Sequence, residues 1–258
     1  LSEDIEPIVR RAVARNPNAP KNILEKLSKD KDDGVLIGVA ENKNTPLEVL
    51  ERLSASESEE VRRAVAKNEN CAPTTLDKLS TDRSVLVRRA VAGNKNASGN
   101  TLSRLSMDGD LIVKLEVAGN TSTPWAVLIN LSNEKEASIR AAVAGNTATL
   151  NATLDKLAMD GDPSVRLAVA RNRITRTETL EKFANEQDPI VKLAVAQNIN
   201  TPPSVLAVLA GDSDPAVRLA VVYNRNTPIK VLQMLSNDKN RMISELAKER
   251  LLLRNAVR

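Results

Sequence analysis

The stretch Val217-Arg218-Leu219-Ala220-Val221-Val222-Tyr223-Asn224-Arg225-Asn226-Thr227-Pro228 decides how this chain is read. Its kernel stands already at Val13-Ala14-Arg15-Asn16 and returns at Val39, Val65, Val91, Val117, Val143, Val169 and Val195, always 26 residues on. Nine copies without slippage account for almost the whole length. A period of this size means that each unit is one supersecondary element, unable to bury its apolar face without stacking on its neighbours. The spacing predicts a single repeat domain over 1–258: a partial unit at 1–8, nine repeats over 9–242 and a capping helix over 243–258.

Composition narrows the interior and the chemistry. The aromatics are Trp125, Phe183 and Tyr223, so the core must be Val, Leu, Ile and Ala. Histidine is absent and Cys71 stands alone, which removes disulfides, Cys/His metal sites and histidine acid–base chemistry. No apolar run approaches a membrane span and no signal-peptide pattern opens the chain. A cytoplasmic protein with no cofactor, no membrane contact and no small-molecule substrate is the expectation. Net charge is +4, with the basic bias concentrated after Tyr223; that end reads as a solvated cap before it reads as an anion-binding surface.

One repeat is legible in detail. Asp162-Pro163-Ser164 has the form of a helix start, Asp capping and Pro in the first turn, and helix A follows from Val165 to Arg171. Asn172 ends it; since Asn tolerates the left-handed conformation, that is the reading of the Asn in this slot of all nine copies. In Asn42-Lys43-Asn44-Thr45-Pro46, Thr reads as the cap and Pro as the first residue of a short helix B bearing Leu50 and Leu53. At 100° per residue, Val9, Ala12, Val13 and Asn16 share one inward sector. Ala14 lies off it, so a small residue there implies close approach of the neighbouring helix. Only the slots of residues 11 and 15 are left facing outward.

These residues resemble the leucine-rich repeat variant family, whose units read Val-Arg-x-Ala-Val-Ala-x-Asn-x-Asn-Thr-Pro, then a Leu-x-x-Leu helix and an acidic turn. The quoted stretch departs from that pattern at Val222 alone, and the likeness covers roughly residues 3 to 242. The resemblance implies an all-α, right-handed α-solenoid, a superhelix of alternating α- and short, often 3₁₀-like helices. Some members carry an iron–sulfur module, which Cys71 by itself cannot supply. A likeness to HEAT repeats lies in an acid placed six residues before a base, as at Asp4/Arg10, Asp82/Arg88, Asp160/Arg166 and Asp212/Arg218, with a comparable ladder between successive units. Leu36 replaces the base in one copy and Ser56 the acid in another.

Function is weakly written. The outward slots read Arg11/Arg15, Ile37/Glu41, Arg63/Lys67, Arg89/Gly93, Leu115/Gly119, Ala141/Gly145, Leu167/Arg171, Leu193/Gln197 and Leu219/Tyr223. They begin with basic pairs and go over to a Leu/Ala stripe, either a partner surface or leucines buried by curvature. No glycine-rich phosphate loop and no nucleophile beside a base is present, so no enzyme is expected. The first reading is a non-catalytic interaction scaffold binding a protein or peptide along its concave face. The alternative is a nucleic-acid-binding solenoid with Arg11, Arg15, Arg63, Lys67 and Arg89 on phosphates. At the C-terminus the Asn slot becomes Arg250, so the last helix should run on through Leu251-Leu252-Leu253 towards Val257, with Ile243, Leu246, Ala247, Leu253 and Val257 covering the core. Leu1 falls in mid-repeat; an uncapped N-terminus open to end-to-end self-association is the matching expectation.

Overall fold

The computed structural model describes residues 1–256; Val257, assigned above to the capping helix, lies outside them. Among the described residues every regular element is a helix. The backbone clusters into two compact units, Leu1–Leu128 and Ile129–Arg258. In chain order the first holds α1 (Pro7–Arg15), α2 (Lys21–Leu27), α3 (Asp33–Glu41), α4 (Leu47–Leu53), α5 (Glu59–Lys67), α6 (Pro73–Leu79), α7 (Val85–Gly93), α8 (Gly99–Leu105) and α9 (Leu111–Gly119). The division falls inside α10 (Trp125–Leu131). The second unit continues with α11 (Ala137–Gly145), α12 (Asn151–Leu157), α13 (Pro163–Arg171), α14 (Thr177–Phe183), α15 (Pro189–Gln197), α16 (Pro203–Leu209), α17 (Pro215–Tyr223), α18 (Ile229–Leu235) and α19 (Arg241–Ala256). Up to α17 the odd-numbered helices are A helices of nine residues, and the even-numbered ones are B helices of seven. The B helices are α-helical rather than 3₁₀, unlike the short helices that the resemblance implied.

Within each unit A stacks on A: α1 on α3, α3 on α5, α5 on α7 and α7 on α9, then α11 on α13 through to α17 on α19. Seven- and nine-residue helices are too short to persist alone in water, so packing must hold them. A typical repeat buries two valines, one alanine and the leucine pair of helix B, as Val61, Val65, Ala66, Leu76 and Leu79 do. Each leucine so buried contributes roughly 2 kcal/mol. The small Ala14 slot is fully buried in repeat after repeat, as expected for closely approaching helices. At Gly38 the approach is close: a Cβ there would stand 3.0 Å from that of Ala14.

The asparagine that ends each A helix does not adopt the left-handed conformation. Asn42, Asn68, Asn94 and their counterparts are extended, and no described residue has positive φ. Their work is done by the side chain, which reaches back one repeat. Asn94 Nδ2 donates to the carbonyls of Ala66 (2.8 Å) and Asn68 (3.0 Å), while its Oδ1 accepts from the Asn96 backbone amide at 2.9 Å. Its own carbonyl then accepts from Asn120. The pattern repeats at Asn42, Asn68 and Asn120 in the first unit and at Asn172, Asn198 and Asn224 in the second. Both amide protons and the amide oxygen are used, so the side chain is saturated in a buried setting. The carbonyls it serves include those that a helix end leaves without partners.

Threonine is also reassigned. Thr45 does not cap helix B, whose N-cap is Pro46; its hydroxyl donates to the Val39 carbonyl at 2.6 Å, inside the end of its own A helix. Thr123, Thr149, Thr175, Thr201 and Thr227 do the same. The aspartate caps of helix A hold as read: Asp162 accepts from the Ser164 amide and Asp110 from those of Ile112 and Val113.

The acid–base ladder joins successive repeats rather than neighbours in one turn. Arg62 makes a two-pronged contact with Asp82, 20 residues on (2.6 and 3.0 Å), and its third nitrogen donates to the carbonyls of Ser56 and Glu57. The residue six places earlier thus contributes its backbone, not its charge. Arg10–Asp30, Arg88–Asp108, Arg140–Asp160, Arg166–Glu186, Lys192–Asp212 and Arg218–Asp238 follow the same register. The guanidinium of Arg10 holds the Asp30 carboxyl below the usual carboxylate range, against the opposite pull of burial. Leu36 and Ser56, two departures in the sequence, occupy the two ends of a single rung in this register. Acid and base have gone together, and no buried charge is stranded.

At the C-terminal end, α19 runs unbroken through the missing Asn slot. Ile243 and Ala247 are buried, Leu246 is half-buried, and Leu253 is exposed, contrary to its assignment as a core residue. Arginines replace the Asn: Arg250 donates to the Tyr223 carbonyl at 3.3 Å and Arg254 to that of Arg225 at 2.7 Å. Part of the basic bias of this end therefore closes open helix carbonyls.

Two outcomes follow for urea unfolding. Asn94→Ala leaves the buried Ala66 carbonyl without its donor, while that of Asn68 keeps the Cys71 amide, and should cost about 1–3 kcal/mol. Asn94→Asp, the same size but unable to donate at neutral pH, should cost more than alanine. Arg62→Leu, which strands Asp82, should cost about 3 kcal/mol. Adding Asp82→Ser, which rebuilds the Leu36/Ser56 rung, should recover a measurable part of that loss; a double variant no better than the single one would contradict the register.

Candidate functional site on the A helices of the first unit

The inter-repeat rungs divide the cations into two populations. Those of the ladder are consumed by carboxylates and turn carbonyls. On the A helices the outward slots hold a second set, and the structure treats them unequally. Arg11 lies 3.4 Å from Asp32 in a half-buried pair, and Arg15 3.4 Å from Glu41 in an exposed one. Arg63 and Lys67 stand one turn apart on α5, and neither has a carboxylate partner among the described residues. Like charges at this spacing repel each other by a few tenths of a kcal/mol.

A hollow of about 410 Å³ opens at this point, lined by Arg63, Lys67, Leu86, Arg89, Gly93 and Glu116 among others. Three of the residues singled out in the sequence, Arg63, Lys67 and Arg89, are thereby brought together from α5 and α7. Arg89 is held by Glu116 of α9, Nε to Oε1 3.0 Å. Gly93 keeps the floor open, since a Cβ there would lie 3.4 Å from Glu116 Oε2. Leu86, at the start of α7, adds an apolar wall and is 44 % exposed.

The other outward slots do not form a comparable site. Leu115, Leu167, Leu193 and Leu219 are half-buried, so the leucine stripe is not an open apolar surface. Arg171 and Gln197 are exposed at the ends of α13 and α15. Tyr223 is exposed with the Arg250 guanidinium 5.6 Å from its ring centre. The apolar residues that A helices of the first unit do present lie at helix starts: Val85 and Leu86 on α7, Leu111 and Ile112 on α9. The angular reading missed them because the preceding A helix does not cover that turn.

Glu116 was also missed, although a signal was present. Its slot holds Ala12, Gly38, Ala64, Ala90, Ala142, Ala168, Ala194 and Ala220 in the other copies, so one carboxylate interrupts a row of small residues. Cys71 fills the buried threonine slot, and burial pushes its thiol up to about 12, which makes it a packing residue rather than a nucleophile. Among the described residues no cluster of three or more metal-ligating side chains occurs, and no helix is long and apolar enough to cross a membrane.

No family model matches the chain, and no curated protein matches it. Among solved structures, a leucine-rich repeat variant described as having a novel repetitive structural motif aligns with a TM-score of 0.62, over 87 % of this chain and 88 % of its own, at 23 % identity. This chain has the fold of a leucine-rich repeat variant. An engineered protein covers 97 % of this chain and 96 % of its own at TM-score 0.43 and 16 % identity. Cex1p covers 95 % of this chain and 52 % of its own at TM-score 0.38 and 14 % identity; likeness at that level bears on nothing further. The leucine-rich repeat variant fold accounts for the stacked helices and is silent on the hollow, which is built from residues that vary between copies.

Exposed ion pairs contribute only about 0–1 kcal/mol. Alanine at Arg63, Lys67 or Arg89 should therefore leave the thermal midpoint within about 2 °C of the parent, whereas alanine at Arg62 or Arg88 should lower it by several degrees. Equal losses at both sets would mean that the hollow is part of the scaffold.

Proposed function

We propose that the protein is a non-catalytic scaffold that binds a protein or peptide segment along its A-helix face, with the Arg63–Lys67–Arg89 hollow as its seat. One observation carries this reading: two cations are kept side by side without partners in a fold that pairs its ladder cations rung by rung. Charge complementarity calls for an anionic segment, and such steering raises association rates as well as affinity. The fold supports the scaffold role, since stacked repeats offer an extended surface on which a chain is laid. The residues available for catalysis do not compose a nucleophile, base and oxyanion site.

Nucleic acid is the weaker reading. A phosphate backbone would be met by a continuous row of cations. The row that the sequence provides is interrupted at Leu36, and its members Arg10, Arg62, Arg88, Arg140, Arg166, Lys192 and Arg218 are engaged in the inter-repeat pairs already described. Aromatic platforms for single strands are lacking, with Trp125 and Tyr223 in separate units.

Fluorescence anisotropy decides between them. A labelled peptide rich in glutamate should bind at 100 mM salt, and Arg63→Glu with Lys67→Glu should weaken it at least tenfold. Single-stranded DNA of equal charge should bind more weakly. Tighter DNA binding with a steep salt dependence would overturn the proposal.

A further inference from the structure

Glu116 is the anomaly of the A-helix face. Eight copies place Ala or Gly in its slot, where the neighbouring helix passes closely; the ninth places a carboxylate that reaches back to α7. Its Oε1 accepts from Arg89 Nε, and its Oε2 faces the gap above Gly93. Arg63 and Lys67 line the same hollow. A side-chain carboxylate is thus already seated on one of the three cations, in a space where no side chain from residue 93 intrudes. Leu86 supplies an apolar wall beside it.

We infer that Glu116 is a resident competitor, and that the partner is an acidic peptide whose own carboxylate takes its place on Arg89. This rests on the peptide-binding reading above. The partner's chemistry is that of the group it displaces: an Asp or Glu side chain held by Arg89 and flanked by Arg63 and Lys67, followed by an apolar side chain against Leu86. A carboxylate fits the single Nε contact that Glu116 makes, and Arg is the cation suited to exchanging one carboxylate for another. Because the internal pair is exposed, with the Arg89 side chain 48 % and that of Glu116 36 % accessible, exchange needs no opening of the core. Glu116 sets the threshold: weakly acidic segments fail to displace it, and segments with adjacent acids succeed through Arg63 and Lys67.

The test uses the whole chain and a fluorescein-labelled peptide of alternating Glu and Leu, with anisotropy as the readout. Glu116→Ala restores the residue found in the same slot of other copies, so folding should be retained. It should tighten binding about tenfold, and Glu116→Gln should tighten it less. Glu48→Ala, which removes an exposed carboxylate from α4, should change affinity less than twofold, separating competition from a general rise in positive charge. In an Arg89→Ala background, Glu116→Ala should have no effect. If the parent binds the peptide but Glu116→Ala leaves affinity unchanged or weaker, Glu116 is not a competitor and this inference falls while the peptide-binding reading stands. If neither the parent nor Glu116→Ala binds the peptide, both fall.

Discussion

Everything in each unit depends on how a nine-residue helix ends. An A helix closes on carbonyls that its own backbone cannot satisfy, and the repeat is too small to send them to water from the buried side. The next repeat supplies the missing donor through one asparagine, whose second amide proton goes to the carbonyl of the preceding copy's asparagine, already bonded within its own turn. Only a primary amide offers two donors and an acceptor on so short a stem. Glutamine would overshoot, aspartate would bring charge without donors, and threonine would serve one carbonyl. The rigid 26-residue period follows, because adding or removing one residue would break the contact at 28 and at 26 residues' separation together.

Around that ladder the polar groups form layers with separate tasks. Threonine closes a carbonyl of its own helix, asparagine those of the copy before, and arginine joins its own turn to the acid of the copy after. The arginine layer also shows how charge is tolerated at low exposure: Arg10, Arg62, Arg88, Arg140 and Arg218 each meet one carboxylate in two contacts and two carbonyls in others, while Arg166 meets Glu186 in one. Where one partner is lost, the other is lost too, at Leu36 and Ser56. Breaking a buried pair costs more than omitting it, and the chain reflects that asymmetry.

The hollow in the first unit is the place where this economy is suspended. Arg63 and Lys67 stay unpaired, Gly93 withholds a side chain, and Glu116 enters a row of alanines. Glu116, the one residue of this set to depart from a slot that eight other copies keep small, carries more functional information here than the pattern itself, since the pattern is explained by packing.

The sequence by itself determined the all-helical repeat, the order of its turns and the buried Val, Ala and Leu positions. These are local or periodic properties, readable from spacing because a helix maps sequence onto faces at a fixed angle. It misjudged the asparagine and the threonine for one reason: each was read by its effect on its own turn. Tertiary structure alone decided that the asparagine reaches back 26 and 28 residues, and that arginine and aspartate meet 20 residues apart. It decided as well that three outward cations and one carboxylate share a hollow. Such partners lie at distances set by stacking, and no turn-level rule contains them.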